Sequence, residues 1–363
     1  MLPDVLIAIG HILVFAFGAA IVAGTLLSAT RTFVLPRSAN DPLTRVVFRT
    51  MRRLFDLRLR GARSYADRDR IMALYAPLGL LTLPPVWLTL VLIGYMGMFW
   101  AIGVESWYAA FRLSGSSLLT LGFATTDDLP QTILALSEAT IGLILVALLI
   151  AYLPTMYAAF SRREAAVALL EVRAGSPPSA IEMIQRFQRI HGLDRLGDLW
   201  ATWEVWFVEV EESHTSLAAL VFFRSPQPDR SWITATGAVL DAASLAASTL
   251  NIPRDPRADL CIRAGYLALR RIADFFRIPY NPGPRPDDPI SVTRQEFDDV
   301  YDRLASVGVP LKPDRDQAWR DFVGWRVNYD TVLLTLAGLT MAPYAPWSSD
   351  RSLSYRPGSL LRR

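Results

Sequence analysis

Three stretches of the chain are apolar and nearly free of charge over lengths that suit a membrane. Met1 to Ala29 carries one charged residue, Asp4; Ile71 to Val104 carries none over 34 residues, and Ala139 to Phe160 none over 22. Roughly 20 apolar residues of helix cross a hydrocarbon core, so each stretch predicts a transmembrane span. The first has no Lys or Arg ahead of its apolar run, and the run exceeds a signal-peptide core. It reads as a retained helix rather than a cleaved leader. The second is longer than one crossing requires and contains Pro77, Pro84 and Pro85. Proline removes a helix donor and clashes with the preceding turn. The pattern therefore predicts a broken or interfacial helix over 71–83 and the span proper over 84–104.

The character changes near residue 165. Helical patterns follow over 179–189, 199–223, 231–250, 257–277, 293–307 and 314–341, joined by Pro-rich connections such as Asn281-Pro282-Gly283-Pro284. Trp200, Trp203, Trp206 and Phe207 share a helix face and read as core rather than as a ligand cage. Glu204, Glu209, Glu211 and Glu212 keep that helix out of a bilayer. Alternating strand patterns are nearly absent. The fold class expected is an all-α membrane protein with three transmembrane helices, followed by an all-α cytoplasmic domain. The expected divisions are 1–30 (first span), 31–70 (basic loop), 71–164, 165–343 (helical domain) and a disordered tail over 344–363, where Pro343, Pro346, Ser348, Ser349 and Arg362-Arg363 cluster.

Charge orients these pieces. Of 37 basic residues only Lys312 is not Arg, and residues 31–70 hold eleven Arg against four Asp. By the positive-inside rule this loop is cytoplasmic, and beside spans such a patch contacts anionic lipid rather than nucleic acid. Ser161-Arg162-Arg163-Glu164 supplies a second basic flank that agrees. The resulting topology is N-terminus outside and C-terminus cytoplasmic, in the cell (inner) membrane, with 105–130 on the outer face. Cys261 is the lone cysteine and His11, His191 and His214 are scattered, so no disulfide within the chain or metal cluster is expected. His11 reads as a packing residue of its helix rather than a functional one. No nucleophile–base pair or Gly-rich phosphate loop is visible; neither an enzyme nor a cofactor is expected.

Between the second and third spans lies Ser116-Ser117-Leu118-Leu119-Thr120-Leu121-Gly122-Phe123-Ala124-Thr125-Thr126-Asp127-Asp128, too short to cross a bilayer. Irregular backbone at membrane depth is tolerated only where protein or a water-filled cavity covers it. The order of span, short helix, Thr-x-Gly-aromatic turn, acidic pair and final span resembles the pore module of the tetrameric potassium-channel superfamily, over about Pro84 to Phe160. The resemblance implies a re-entrant pore helix at 106–119, a filter at Thr120, Leu121, Gly122, Phe123 and Ala124, and Asp127 and Asp128 in the outer vestibule. It also implies a pore-lining inner helix over 138–152, with Gly142 and Pro154 as hinge or gate positions. Four copies of one loop would complete the filter, hence a homotetramer. The cytoplasmic domain, through Arg162 to Arg173, would act on the gate under an unknown ligand or partner.

The physics of such a loop is plain: a helix C-terminus aims partial negative charge at a cation, and successive carbonyls replace its hydration shell. The family's filter usually reads Thr-Val-Gly-Tyr-Gly-Asp, from which Leu121, Phe123, Ala124 and Thr125 depart. An Ala forced into left-handed geometry costs about 1–2 kcal/mol, leaving the outermost site distorted or absent. Potassium is the expected permeant cation, with sodium the alternative. Arg112 within the pore helix predicts a carboxylate partner, Glu105 or Glu138. A nonselective cation channel of the same architecture and a non-conducting membrane-anchored sensor or scaffold are the competing readings.

Overall fold

A computed structural model describes residues 2–33 and 41–353; the remainder of the basic loop (34–40) and of the tail (354–363) lie outside the described residues. The described residues form helices and turns with no strand, and three helical stretches are long and apolar enough to cross a membrane: Asp4–Phe33, Tyr65–Ala101 and Leu129–Ala174. The chain divides into two compact units, Met1–Ala62 with Ile71–Ala158, and Arg63–Arg70 with Ala159–Arg363. The sequence-based boundaries shift accordingly. Residues 63–70 and 159–164 belong with the second unit, because their side chains find partners there that the local sequence does not reveal.

In the first unit α1 (Leu2–Phe33) lies against α4 (Tyr75–Ala101). Their closest approach is glycine on glycine: a Cβ on Gly18 would strike the Gly94 carbonyl, and one on Gly94 would come 2.8 Å from the Gly18 carbonyl. Lipid tails are as apolar as Leu, so helix association in a bilayer rests on such close packing and on interhelical hydrogen bonds. Two of those bonds are present: Trp87 Nε1 donates to Ser28 Oγ at 3.1 Å, and His11 Nδ1 meets the Ala101 carbonyl at 3.0 Å. His11 also lies against the Trp100 ring.

The break expected within 71–83 is present, but at its start and not at the prolines. Helix α4 runs unbroken through Pro84 and Pro85, and the turn instead falls at Leu74, between α3 (Tyr65–Ala73) and α4. Prolines are tolerated in membrane helices where neighbouring groups re-satisfy the freed backbone. The basic loop is itself helical over α2 (Pro42–Leu59). Asp41 caps it by accepting from Thr44 N at 2.7 Å and also accepts the Ser28 hydroxyl of α1 at 2.7 Å. A short helix, α5 (Trp107–Leu118), and the first part of α6 (Leu129–Ala174) complete the unit.

The second unit is built from the end of α6 and from α7 (Ala180–Arg189), α8 (Leu196–Ser216), α9 (Trp232–Thr249), α10 (Pro256–Phe276), α11 (Arg294–Ser306), α12 (Arg315–Arg326) and α13 (Asp330–Thr340). Helix α9 is buried along nearly its whole length and forms the centre. Its small residues, among them Ala235, Ala238, Ala242, Ala243 and Ala246, let other helices close around it. Trp200, Trp203, Trp206 and Phe207 are all buried, with the Trp203 and Trp206 rings 4.5 Å apart, as a core face requires.

Two expectations fail here. The helix expected over 314–341 divides at Val327–Tyr329, where the Asn328 amide donates back to the Gly324 and Trp325 carbonyls. Residues 344–353 are not disordered. Ala345, Trp347 and Ser348 are buried, Arg326 donates to the Trp347 carbonyl at 2.6 Å, and Arg351 pairs with Glu296 at 2.7 Å. The Pro and Ser content suggested a loose tail, but Trp347 supplies enough apolar surface to hold it.

Candidate functional site

Helix α5 begins at Ser106, whose hydroxyl accepts from Ala109 N at 3.1 Å. It ends in a Schellman turn: Leu121 N donates to the Ser116 carbonyl at 2.8 Å and Thr120 N to the Ser117 carbonyl at 3.0 Å. That turn needs a left-handed residue, usually Gly, and here Thr120 fills it with φ 55°. A β-branched residue in this region is a genuine outlier, at a cost of order 1–3 kcal/mol. Gly122 follows at φ 72°, a conformation that suits its missing side chain. Ala124 is not left-handed. The strain expected at Ala124 thus sits at Thr120, because Gly122 takes the second left-handed position.

Thr120, Leu121, Gly122 and Phe123 are exposed in the protomer, while Leu113, Ser114, Ser116 and Leu118 of the helix that carries them are buried. Asp127 and Asp128 are exposed too. Asp128 also caps α6, with its carboxylate accepting from Gln131 N at 3.4 Å. The Thr120 hydroxyl turns back to the Leu119 carbonyl at 2.8 Å.

The underside of α5 is fixed by hydroxyl groups. Ser114 donates to Glu138 Oε1 at 2.6 Å and also contacts the Leu92 carbonyl at 3.2 Å, joining α5 to α6 and α4. Glu138 is fully buried, and its Oε2 has no hydrogen-bond partner among the described residues. Ser116 Oγ donates to the Ala124 carbonyl at 3.1 Å and accepts from Ala124 N at 3.0 Å. Tyr95 OH and Ser137 Oγ lie 2.8 Å apart across α4 and α6.

Arg112 does not take the expected carboxylate. Glu138 is bound to Ser114, and Arg112 lies exposed over the Tyr108 and Phe123 rings, 6.0 and 5.8 Å from their centroids. The aromatic faces offer a cation–π seat that leaves the guanidinium hydrated. Gly142 sits where α6 meets the end of α5: a Cβ there would collide with the Leu118 carbonyl. Pro154 is exposed within α6, which continues through it. Beside it Tyr152 is buried, its ring 4.3 Å from Phe33.

In the second unit the last turns of α6 are clamped by a buried arginine. The Arg163 guanidinium donates to the Leu220 and Phe223 carbonyls at 2.8 and 2.7 Å, pairs with Glu164, and faces His214 Nε2 at 3.2 Å. Burial and the Arg163 charge hold the His214 imidazole well below its ordinary value, so it stays neutral with Nε2 as acceptor. Elsewhere in the unit, a cleft of about 840 Å³ is lined by Trp200, Leu250, Tyr266, Lys312, Arg320 and Trp325.

Sequence reasoning found the loop and its helix but missed Ser114, Ser116, Glu138 as their anchor, and Arg163. The run Ser114-x-Ser116-Ser117, in a helix whose other residues are apolar or Gly apart from Arg112, was the available signal. Comparison with protein-family models, with curated proteins and with solved structures finds no match. Three apolar helices of spanning length therefore define this chain as a candidate integral membrane protein on physical grounds alone.

Proposed function

We propose that the chain is one subunit of a tetrameric cation channel, with potassium the expected permeant ion. One observation carries the reading: a short helix anchored between α4 and α6 ends in a strained turn whose next residues, Leu121 to Phe123, are left exposed. A monomer gains nothing from an exposed Leu-Gly-Phe loop held at such cost. Four copies around an axis would cover one another's loops and place four sets of carbonyls about a cation. In this reading Thr120 to Phe123 line the filter, and Asp127 and Asp128 raise the cation concentration at its mouth. Helix α6 lines the pore below.

The N-terminus then lies outside and the C-terminus in the cytoplasm of the inner membrane, with the Arg-rich face of α2 against anionic lipid. Coupling runs along α6, whose last turns Arg163 ties to the second unit. Rearrangement of that unit on binding a ligand would bear on α6 near Pro154. Purified protein tests the proposal: a tetramer in detergent that passes potassium into liposomes supports it. A monomer or dimer that passes no cation refutes it and favours a membrane-anchored sensor.

A further inference from the structure

We propose that Ser116 sets how many carbonyls the loop can offer a permeant cation, and so governs its discrimination between potassium and sodium. The inference rests on the channel reading above and extends it to a residue outside the loop. Both backbone polar groups of Ala124 are engaged by one buried hydroxyl: the carbonyl accepts from Ser116 Oγ at 3.1 Å, and the amide donates to it at 3.0 Å. Ser116 is 2% exposed, so no water competes for these bonds. A carbonyl that accepts from a buried hydroxyl on α5 is already engaged by that helix, whereas Leu121 and Phe123 are exposed. The ion-facing run therefore ends at Phe123.

The same residue holds the other end of the loop. Its backbone carbonyl accepts from Leu121 N at 2.8 Å. Residues 121 and 124 are thus pinned to one residue of α5, and the intervening Gly122 and Phe123 form a short arch. Discrimination between cations of different size depends on the number of coordinating carbonyls and on how firmly they are held. Ser116 controls both without touching the ion, which makes it a positioning residue. Ala124 needs no left-handed geometry, so its departure from glycine is accommodated by this bond rather than by strain.

The test is the permeability ratio of potassium to sodium, read from reversal potentials of wild type, Ser116→Ala and Ser116→Thr in planar bilayers under bi-ionic conditions. Ser116→Ala frees the Ala124 carbonyl and is expected to change the ratio about fivefold or more, equivalent to about 1 kcal/mol at 1.4 kcal/mol per tenfold. Ser116→Thr keeps the hydroxyl and is expected to stay within about twofold of wild type, the margin we set well below the effect of losing one hydrogen bond. A merely structural role would lower the number of active channels and leave the ratio alone. An unchanged ratio in a conducting Ser116→Ala channel overturns the proposal. If that variant does not assemble, Ser116→Cys, which weakens both bonds at similar volume, is judged by the same criterion. A wild-type tetramer that passes no cation refutes the channel reading itself, and is distinguishable from failure of this one.

Discussion

Replacing Arg326 by methionine probes a fully buried charge of the second unit that pairs with two carboxylates. The Arg326 side chain is fully buried; it donates Nε to Asp330 at 2.7 Å, pairs with Asp241, and donates to the Trp347 carbonyl at 2.6 Å. Its removal does not strand the two carboxylates equally. Asp330 keeps two donors from Ser291, at 2.9 and 2.7 Å, whereas Asp241 keeps only the Tyr329 hydroxyl at 2.9 Å. Breaking a buried pair costs about 3–5 kcal/mol, and the remaining donors argue for the lower end, about 3 kcal/mol. For a unit of this size that lowers Tm by about 6–12 °C.

The pH dependence has a definite sign. Burial already raises the Asp241 carboxyl against the pull of Arg326, and without the guanidinium it rises further. A carboxylate raised on folding binds more protons in the folded state, so stability falls as pH rises above its unfolded value near 4. The destabilisation by Arg326→Met is therefore larger at pH 8 than at pH 5. Tryptophan fluorescence on the full chain in detergent reads it, since Trp347 adjoins the site. Arg326→Lys keeps the charge but not the planar fork, and should fall between. A drop of less than about 2 °C, below what 1 kcal/mol gives, or equal drops at pH 5 and 8, refutes the reasoning.

Three further outcomes are expected. Hydrogen bonds from Arg351 and from Thr293 hold Glu296 at about 2; its contribution is present above pH 4.5 and is lost as pH falls toward 2, so Arg351→Ala should flatten the acid limb of a Tm-against-pH curve. Burial pushes the Cys261 thiol up, and a maleimide at pH 8 should label it only when denaturant is added. Gly142→Ala gains up to about 1 kcal/mol of helix propensity but meets the Leu118 carbonyl, and overpacking against backbone costs about 1–3 kcal/mol. A reduced yield of folded protein by size-exclusion chromatography is the expected result; on the channel reading, unchanged yield with altered opening would instead make Gly142 a hinge.

Elements set by local chemistry could be read from the chain. Charge-free runs give the spans, and Ser106 with the Thr120–Gly122 turn gives α5 to within a residue of its ends. Ser179, Ser231, Asp255, Thr293 and Asp314 each accept a backbone N–H at a helix start, which is why the helices of the second unit were placed closely. What escaped depends on partners distant in sequence. Ser114 meets Glu138 across 24 residues, Arg163 meets Leu220 across 57, and Arg326 meets Asp241 across 85. Pro84 and Pro85 misled because their cost depends on the neighbours a buried helix has, and Trp347 because one aromatic side chain outweighed a polar composition. Within the candidate site, the exposed loop was legible and the hydroxyl groups that hold it were not.

Potassium uptake into liposomes by the purified protein, compared with a Gly122→Val variant, tests the channel reading most directly. Gly122 holds φ 72°, which a β-branched residue disfavours strongly. Wild type is expected to pass potassium while Gly122→Val remains a tetramer and is silent. No flux of any cation through the wild-type protein, or equal flux through both, would contradict it.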